Sequence, residues 1–148
     1  MAIQSASPER AAELLSSEQG YVYLDVRSIP EFAQGHPSSA CNVPLLHAEP
    51  GSRQLVPNPD FLRVVQANFP AESRLLLGCL SGGRSMRAAE VLAEAGYKNL
   101  LNVRCGFGGA RDGRGQVTEP GWEALGLPVE REENPGRSYQ TLLQRADA

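Results

Sequence analysis

The sequence predicts an α/β fold built on a mainly parallel sheet, and three observations carry that reading. Strand and helix signals alternate along the chain. The run Arg74-Leu75-Leu76-Leu77-Gly78 is apolar without alternation, the pattern of a parallel strand covered on both faces. A strong helical pattern follows over residues 84–95 and stops at Gly96.

Taken in order, Ser7 before Pro8 reads as an N-cap with proline at the first helical position, opening a helix that runs to Leu15. Tyr21-Val22-Tyr23-Leu24 is a short β-rich run that meets Asp25. Residues 30–34 hold one or two helical turns before Gly35. Cys41-Asn42-Val43 is a brief strand ended by Pro44. Residues 47–59, rich in Pro, Gly, Ser and Asn, form a surface loop. Residues 60–69 place Phe61, Leu62, Val64, Val65 and Phe69 at helical spacing. Leu100-Leu101-Asn102-Val103 is a further strand. Beyond it, residues 106–115 hold five glycines interleaved with Arg111 and Arg114. Trp122 anchors a short helix over 120–125, and a last helix over 138–145 packs Tyr139, Leu142 and Leu143 on the body. We expect one domain over residues 1–130, then a polar linker and short helix over 131–148, with no internal repeat.

At 148 residues the chain is long enough for a single core. Its net charge of -3 gives no footprint for nucleic acid. No apolar stretch approaches the roughly 20 residues that span a bilayer, and the start Met1-Ala2-Ile3-Gln4 shows no secretory signal. The expectation is a soluble, cytoplasmic protein without a membrane or nucleic-acid partner. The cysteines are Cys41, Cys79 and Cys105, an odd count that favours free thiols. With only His36 and His47 and no Cys-x-x-Cys pair, a structural zinc site is not expected.

The informative segment is Cys79-Leu80-Ser81-Gly82-Gly83-Arg84-Ser85, set between a buried strand and a helix. Ligands of open α/β sheets bind at the C-terminal strand ends, where Cys79 falls. Small residues let successive N–H groups point inward as an anion-binding nest, and the helix N-terminus adds partial positive charge. A free cysteine is only about 3% thiolate at pH 7. A downward shift of about two units makes it mostly thiolate and is worth roughly 2.7 kcal/mol. Dipole, nest and Arg84 together are of that order. The alternative is a Cys79 that is merely a buried small hydrophobe beside a Gly-Gly turn.

The same loop, with Leu24-Asp25-Val26-Arg27, Glu31-Phe32, Gly35-His36 and Ala40 before Asn42-Val43-Pro44, resembles the single-domain rhodaneses, or thiosulfate sulfurtransferases. Gly106-Phe107 and the later Trp122 are similar to that family's Gly-Gly-aromatic segment. The resemblance covers residues 7–129. It implies a rhodanese-like three-layer fold, a central five-stranded, mainly parallel sheet flanked by helices. It implies Cys79 as a nucleophile that takes the outer sulfur of thiosulfate, becomes a persulfide, and passes the sulfur to cyanide or a thiol. The partners implied are a small anionic sulfur donor and an acceptor that is cyanide, a small thiol or a thiol-bearing protein. Backbone N–H groups of Leu80, Ser81, Gly82, Gly83 and Arg84 hold the persulfide, with Ser85 closing the loop and Arg84 helping to hold the donor. No metal or organic cofactor is implied.

Two other readings stand beside it. Cysteine-dependent phosphatases and arsenate reductases also cradle an oxyanion ahead of a helix, but those phosphatases place arginine six positions after the cysteine. Here Arg84 is five positions on and Ser85 is sixth. A rhodanese-like binding or sulfur-relay module without turnover is the other. Asp25 and Arg27 are expected to brace the loops near the site, with Arg27 available to attract an anion. Glu31 and His36 serve turns and helix ends, and His47 is solvated. Cys105 stands where the family has the first of a glycine pair, so it is either a small residue tolerated in a loop or a second thiol near Cys79. Arg111 and Arg114 sit on a solvated loop or on a flap over the site. Cys41 has no assigned role.

Overall fold

The computed structural model describes residues 3–52, 54–131 and 136–148. In chain order the elements are β1 (Gln4–Ala6), α1 (Pro8–Ser16), β2 (Tyr21–Asp25), α2 (Ile29–Gln34), β3 (His36–Pro37), β4 (Cys41–Asn42), β5 (Leu46–Ala48) and β6 (Leu55–Pro57). There follow α3 (Phe61–Asn68), β7 (Arg74–Gly78), α4 (Gly83–Glu94), β8 (Asn99–Val103), β9 (Ala110–Arg111), β10 (Val117–Glu119), β11 (Val129–Glu130) and α5 (Tyr139–Ala146).

The central sheet has five strands in the order β1-β8-β7-β2-β4, with every neighbouring pair parallel. Alternation along its strands sorts the core into two faces. Leu75 and Leu77 of β7 and Leu24 of β2 meet Val64 and Val65 of α3, Ala88, Ala89 and Leu92 of α4, and Leu142 of α5. Leu76 and Tyr23 point the other way, onto Ala11 and Leu14 of α1, Phe32 of α2 and Trp122. The result is three layers, as the alternating pattern requires. The expected N-cap holds: Ser7 Oγ accepts from the Arg10 N–H at 3.1 Å. Among the described residues no helix is long and apolar enough to cross a membrane.

Four segments depart from the sequence reading. β1 is an unpredicted edge strand whose polar Gln4 and Ser5 carry no β signal; its order comes from the ladder to Leu101 and Asn102 of β8. The expected loop over 47–59 is largely the hairpin β5–β6, pairing Leu46 with Pro57 and His47 with Val56. The glycine-rich segment closes into a second hairpin, β9–β10, with Val117 opposite Arg111. The helix expected over 120–125 is instead a series of turns. There the Trp122 N–H donates to Gly106 O at 2.9 Å and its indole Nε1 to Pro128 O at 2.7 Å. Those bonds tie Trp122 to loops rather than to a helical ladder. The C-terminal helix is present as α5, with Ser138 as its N-cap and Leu142 buried against α3. Of the polar run before it, residues 132–135 lie outside the described residues.

Candidate functional site

The site begins where β7 ends. A side chain at Gly78 would collide with the Tyr23 hydroxyl, so glycine is required there for the strand to lie over that ring. Cys79 follows at 2% exposure, its sulfur at the floor of the β7–α4 loop. Gly82, the residue before α4, has a φ of 108°, a left-handed conformation that glycine adopts without steric cost. That geometry turns the Gly82 N–H onto Cys79 Sγ at 3.1 Å. Ser85 Oγ lies 3.4 Å from the same sulfur. It is also 3.1 Å from Gly82 O and in contact with the buried Asn102 Oδ1. The inward Gly82 N–H and the helix N-terminus favour negative charge on the sulfur they face, while the single Ser85 hydroxyl proton is donated to Asn102 Oδ1. Leu80, Ser81 and Gly83 stand on the exposed side of the loop.

Arg84, expected to help hold an anion, has a partner of its own. Its Nη1 and Nη2 donate to the two Glu31 carboxylate oxygens at 2.7 and 2.9 Å, a bidentate clamp between α4 and α2. Burial alone would raise the Glu31 pKa; hydrogen bonds from Arg84 and Ser28 overcome it and hold the carboxyl at about 2. The Arg84 guanidinium remains within electrostatic reach of Cys79. Its charge is therefore paired inside the protein.

Asp25 and Arg27 form a pair of their own beneath the loops. Both are buried, and the Arg27 Nη2 lies 2.8 Å from Asp25 Oδ2 and donates to Gly35 O at 2.7 Å. Burial opposes the charge on Arg27, but Asp25 more than offsets it and the pKa is raised. The guanidinium sits 4.5 Å over the Phe107 ring, closed off from the role of anion attractor. His36 is buried, stacked on Phe32 with centroids 3.6 Å apart and Nδ1 2.7 Å from Phe32 O, a structural histidine. His47 packs edge-on to Tyr139 rather than standing free in solvent.

The loop after β8 wraps the outside of Cys79. Phe107 N–H donates to Cys79 O at 2.8 Å and Gly108 N–H to Leu80 O at 2.7 Å. Cys105, buried beside it, takes a φ of 69°, a conformation unusual for a residue with a side chain. Burial, and then the negative charge of the nearby Glu119 carboxylate, push the Cys105 pKa up. A buried thiol held protonated is a poor nucleophile, which favours the tolerated-residue reading. Asn102 was the residue missed. Its only signal was one polar side chain in the apolar strand Leu100-Leu101-Asn102-Val103, the mark of a buried hydrogen bond.

Residues 7–111 match the family described as Rhodanese-like domain. The chain belongs to that family. It is 39% identical over 105 residues to a senescence-associated protein of Raphanus sativus, covering 71% of this chain and 56% of that one. It is 40% identical over 88 residues to thiosulfate sulfurtransferase 16, a chloroplastic protein of Arabidopsis thaliana, covering 60% of this chain and 72% of that protein. Against the radish relative, this rhodanese-like chain thus spans little more than half its partner's length. Among solved structures, a crystal structure of an M. tuberculosis protein superposes with a TM-score of 0.73 at 30% identity, covering 89% of this chain and all of that one. The rhodanese-like fold, a parallel five-stranded sheet between helices, is the one described above.

Proposed function

We propose that this rhodanese-like protein is a sulfurtransferase that carries sulfane sulfur on Cys79. The observation that carries the reading is the convergence of the Gly82 N–H and Ser85 Oγ on one buried sulfur at the end of β7. Kinship to a protein named thiosulfate sulfurtransferase supports it. In the first step the Cys79 thiolate attacks the outer sulfur of thiosulfate. The new S–S bond forms on Sγ, the bond from that sulfur to the sulfonate breaks, and its electron pair leaves as sulfite. In the second step an acceptor attacks the outer sulfur and Cys79 departs as thiolate, a double displacement through a covalent intermediate. The Gly82 N–H would stabilise the anionic sulfur in both steps, with Ser85 held beside it by its bond to Asn102. Ser85 in sixth place, its hydroxyl on the sulfur, leaves no arginine there to clamp a phosphoryl group, which weighs against the phosphatase reading.

The test is intact-protein mass after thiosulfate and removal of excess. A gain of one sulfur, about 32 Da, released by cyanide as thiocyanate and absent from Cys79→Ser, is the expected result. No gain from thiosulfate or from polysulfide would remove the proposal.

A further inference from the structure

Every large apolar side chain left exposed among the described residues belongs to the same end of the molecule. These are Ile29, Leu55, Val56, Leu80 and Val117. Ile29 opens α2, directly after β2, and Leu80 follows β7. Leu55 and Val56 lie on the β5–β6 hairpin. That hairpin grows out of β4 where Leu45 N–H still pairs with Val26 O, beyond the end of β2. Val117 lies on the β9–β10 hairpin that follows β8. All four segments leave the C-terminal edge of the parallel sheet, the edge that holds Cys79. Beyond Ile29 at the first turn of α2, the helices and the opposite edge carry none among the described residues.

Single exposed apolar residues are ordinary; their collection at one end is not. Leu80 and Val117 each pack on one of two successive glycines of the outer loop. A side chain at Gly108 would meet Leu80 Cδ1, and one at Gly109 would meet Val117 Cγ1. Thiosulfate and cyanide are small and polar and gain nothing from such a rim. The charge beside it has a sign. Arg111 lies opposite Val117 in the hairpin, and Arg114 occupies the turn. Among the described residues neither faces a carboxylate within salt-bridge distance. The nearby Asp112 carboxylate accepts from the Arg114 and Gln116 N–H groups. Cys79 lies below this rim at 2% exposure, so a thiol must be carried down to it.

Resting on the sulfurtransferase reading, we infer that the physiological acceptor is a protein. It presents a cysteine on a protruding segment, flanked by apolar and acidic residues that seat on the Leu80–Val117 rim and the Arg111–Arg114 turn. In the transfer the partner's thiolate attacks the outer sulfur of the Cys79 persulfide. The partner leaves as a persulfide, the electron pair of the broken S–S bond returns to Cys79, and no outside oxidant or reductant is consumed.

The test measures sulfur transfer from the full-length persulfide to four acceptors. They are cyanide, glutathione, a short peptide with one cysteine between leucines and flanked by glutamates, and the same peptide with lysines for glutamates. The persulfide is loaded with polysulfide and verified by mass before mixing, so failure of thiosulfate to load the protein is read separately. The acidic peptide should exceed both glutathione and the lysine peptide by about tenfold in kcat/KM. Val117→Ser/Arg114→Ser should remove most of that advantage while the cyanide rate stays unchanged. An acidic peptide no better than glutathione, or a double variant that transfers to it as well as wild type, would overturn the inference.

Discussion

Cys105 holds a side chain in a backbone conformation that favours glycine, beside the loop that carries Cys79. A side chain at a φ of 69° costs on the order of 1 kcal/mol, and glycine removes that cost. Against this, Cys105→Gly gives up a buried thiol and adds backbone freedom to the unfolded chain worth roughly 0.5–1 kcal/mol. The terms nearly cancel. Cys105→Gly should therefore unfold within about 1 kcal/mol of wild type and keep its full rate of sulfur transfer. Urea unfolding and a thiosulfate–cyanide rate check both halves, and a large loss of rate would restore Cys105 as a second working thiol. At this scale the sequence was informative wherever residue type alone decides chemistry. Cys79, Gly82 and Ser85 stand together in the loop as their order implied. Arg84 was legible as a cation near the loop, but its clamp on Glu31 joins residues 53 apart in the chain, a distance no local pattern spans.

At the scale of elements, what holds the site is the antiparallel-like embrace of one loop by another. The turn after β8 bonds the backbone of Cys79 and Leu80 while Trp122 bonds that turn through Gly106 O. Gly106 is the tight point: at a φ of 51°, a side chain there would collide with Cys79 O and crowd the Leu80 carbonyl. Gly106→Ala should push the two loops apart, weakening the Phe107 and Gly108 bonds and displacing Cys79. We expect a loss of about 2–3 kcal/mol in stability and at least a tenfold fall in sulfur transfer. A variant of wild-type rate would mean that the outer loop does not position the sulfur. The long buried strand β7 and helix α4 were readable because burial on both faces and helical spacing leave strong periodic marks. Hairpins of two- and three-residue strands leave none, so β5–β6 and β9–β10 read as loops. The Trp122 helix failed for a related reason, since its bonding partners lie in Gly106 and Pro128 rather than four residues away.

At the scale of the whole molecule, the two layers of helices meet through the Glu31–Arg84 clamp, which joins α2 on one face to α4 on the other. Its pH dependence has a definite sign. The Glu31 carboxyl lies at about 2 in the folded protein, against 4.5 for a free glutamate. A depressed carboxyl contributes stability that is complete above the unfolded value and is lost as the pH falls from about 4.5 toward 2. The undiscounted shift would be worth over 3 kcal/mol. With Glu31 about a quarter exposed, solvent screening brings the expected contribution to about 1–2 kcal/mol. Glu31→Gln should cost that amount at neutral pH and little near pH 2, so the two urea-midpoint curves converge on the acid side. The sulfur-transfer rate of the same variant adds a second reading. Releasing Arg84 from Glu31 leaves its charge closer to free beside Cys79, so affinity for thiosulfate should rise even as stability falls. Curves that stay parallel down to pH 2 would show that the clamp carries no pH-dependent stability and that the two faces are joined by packing alone.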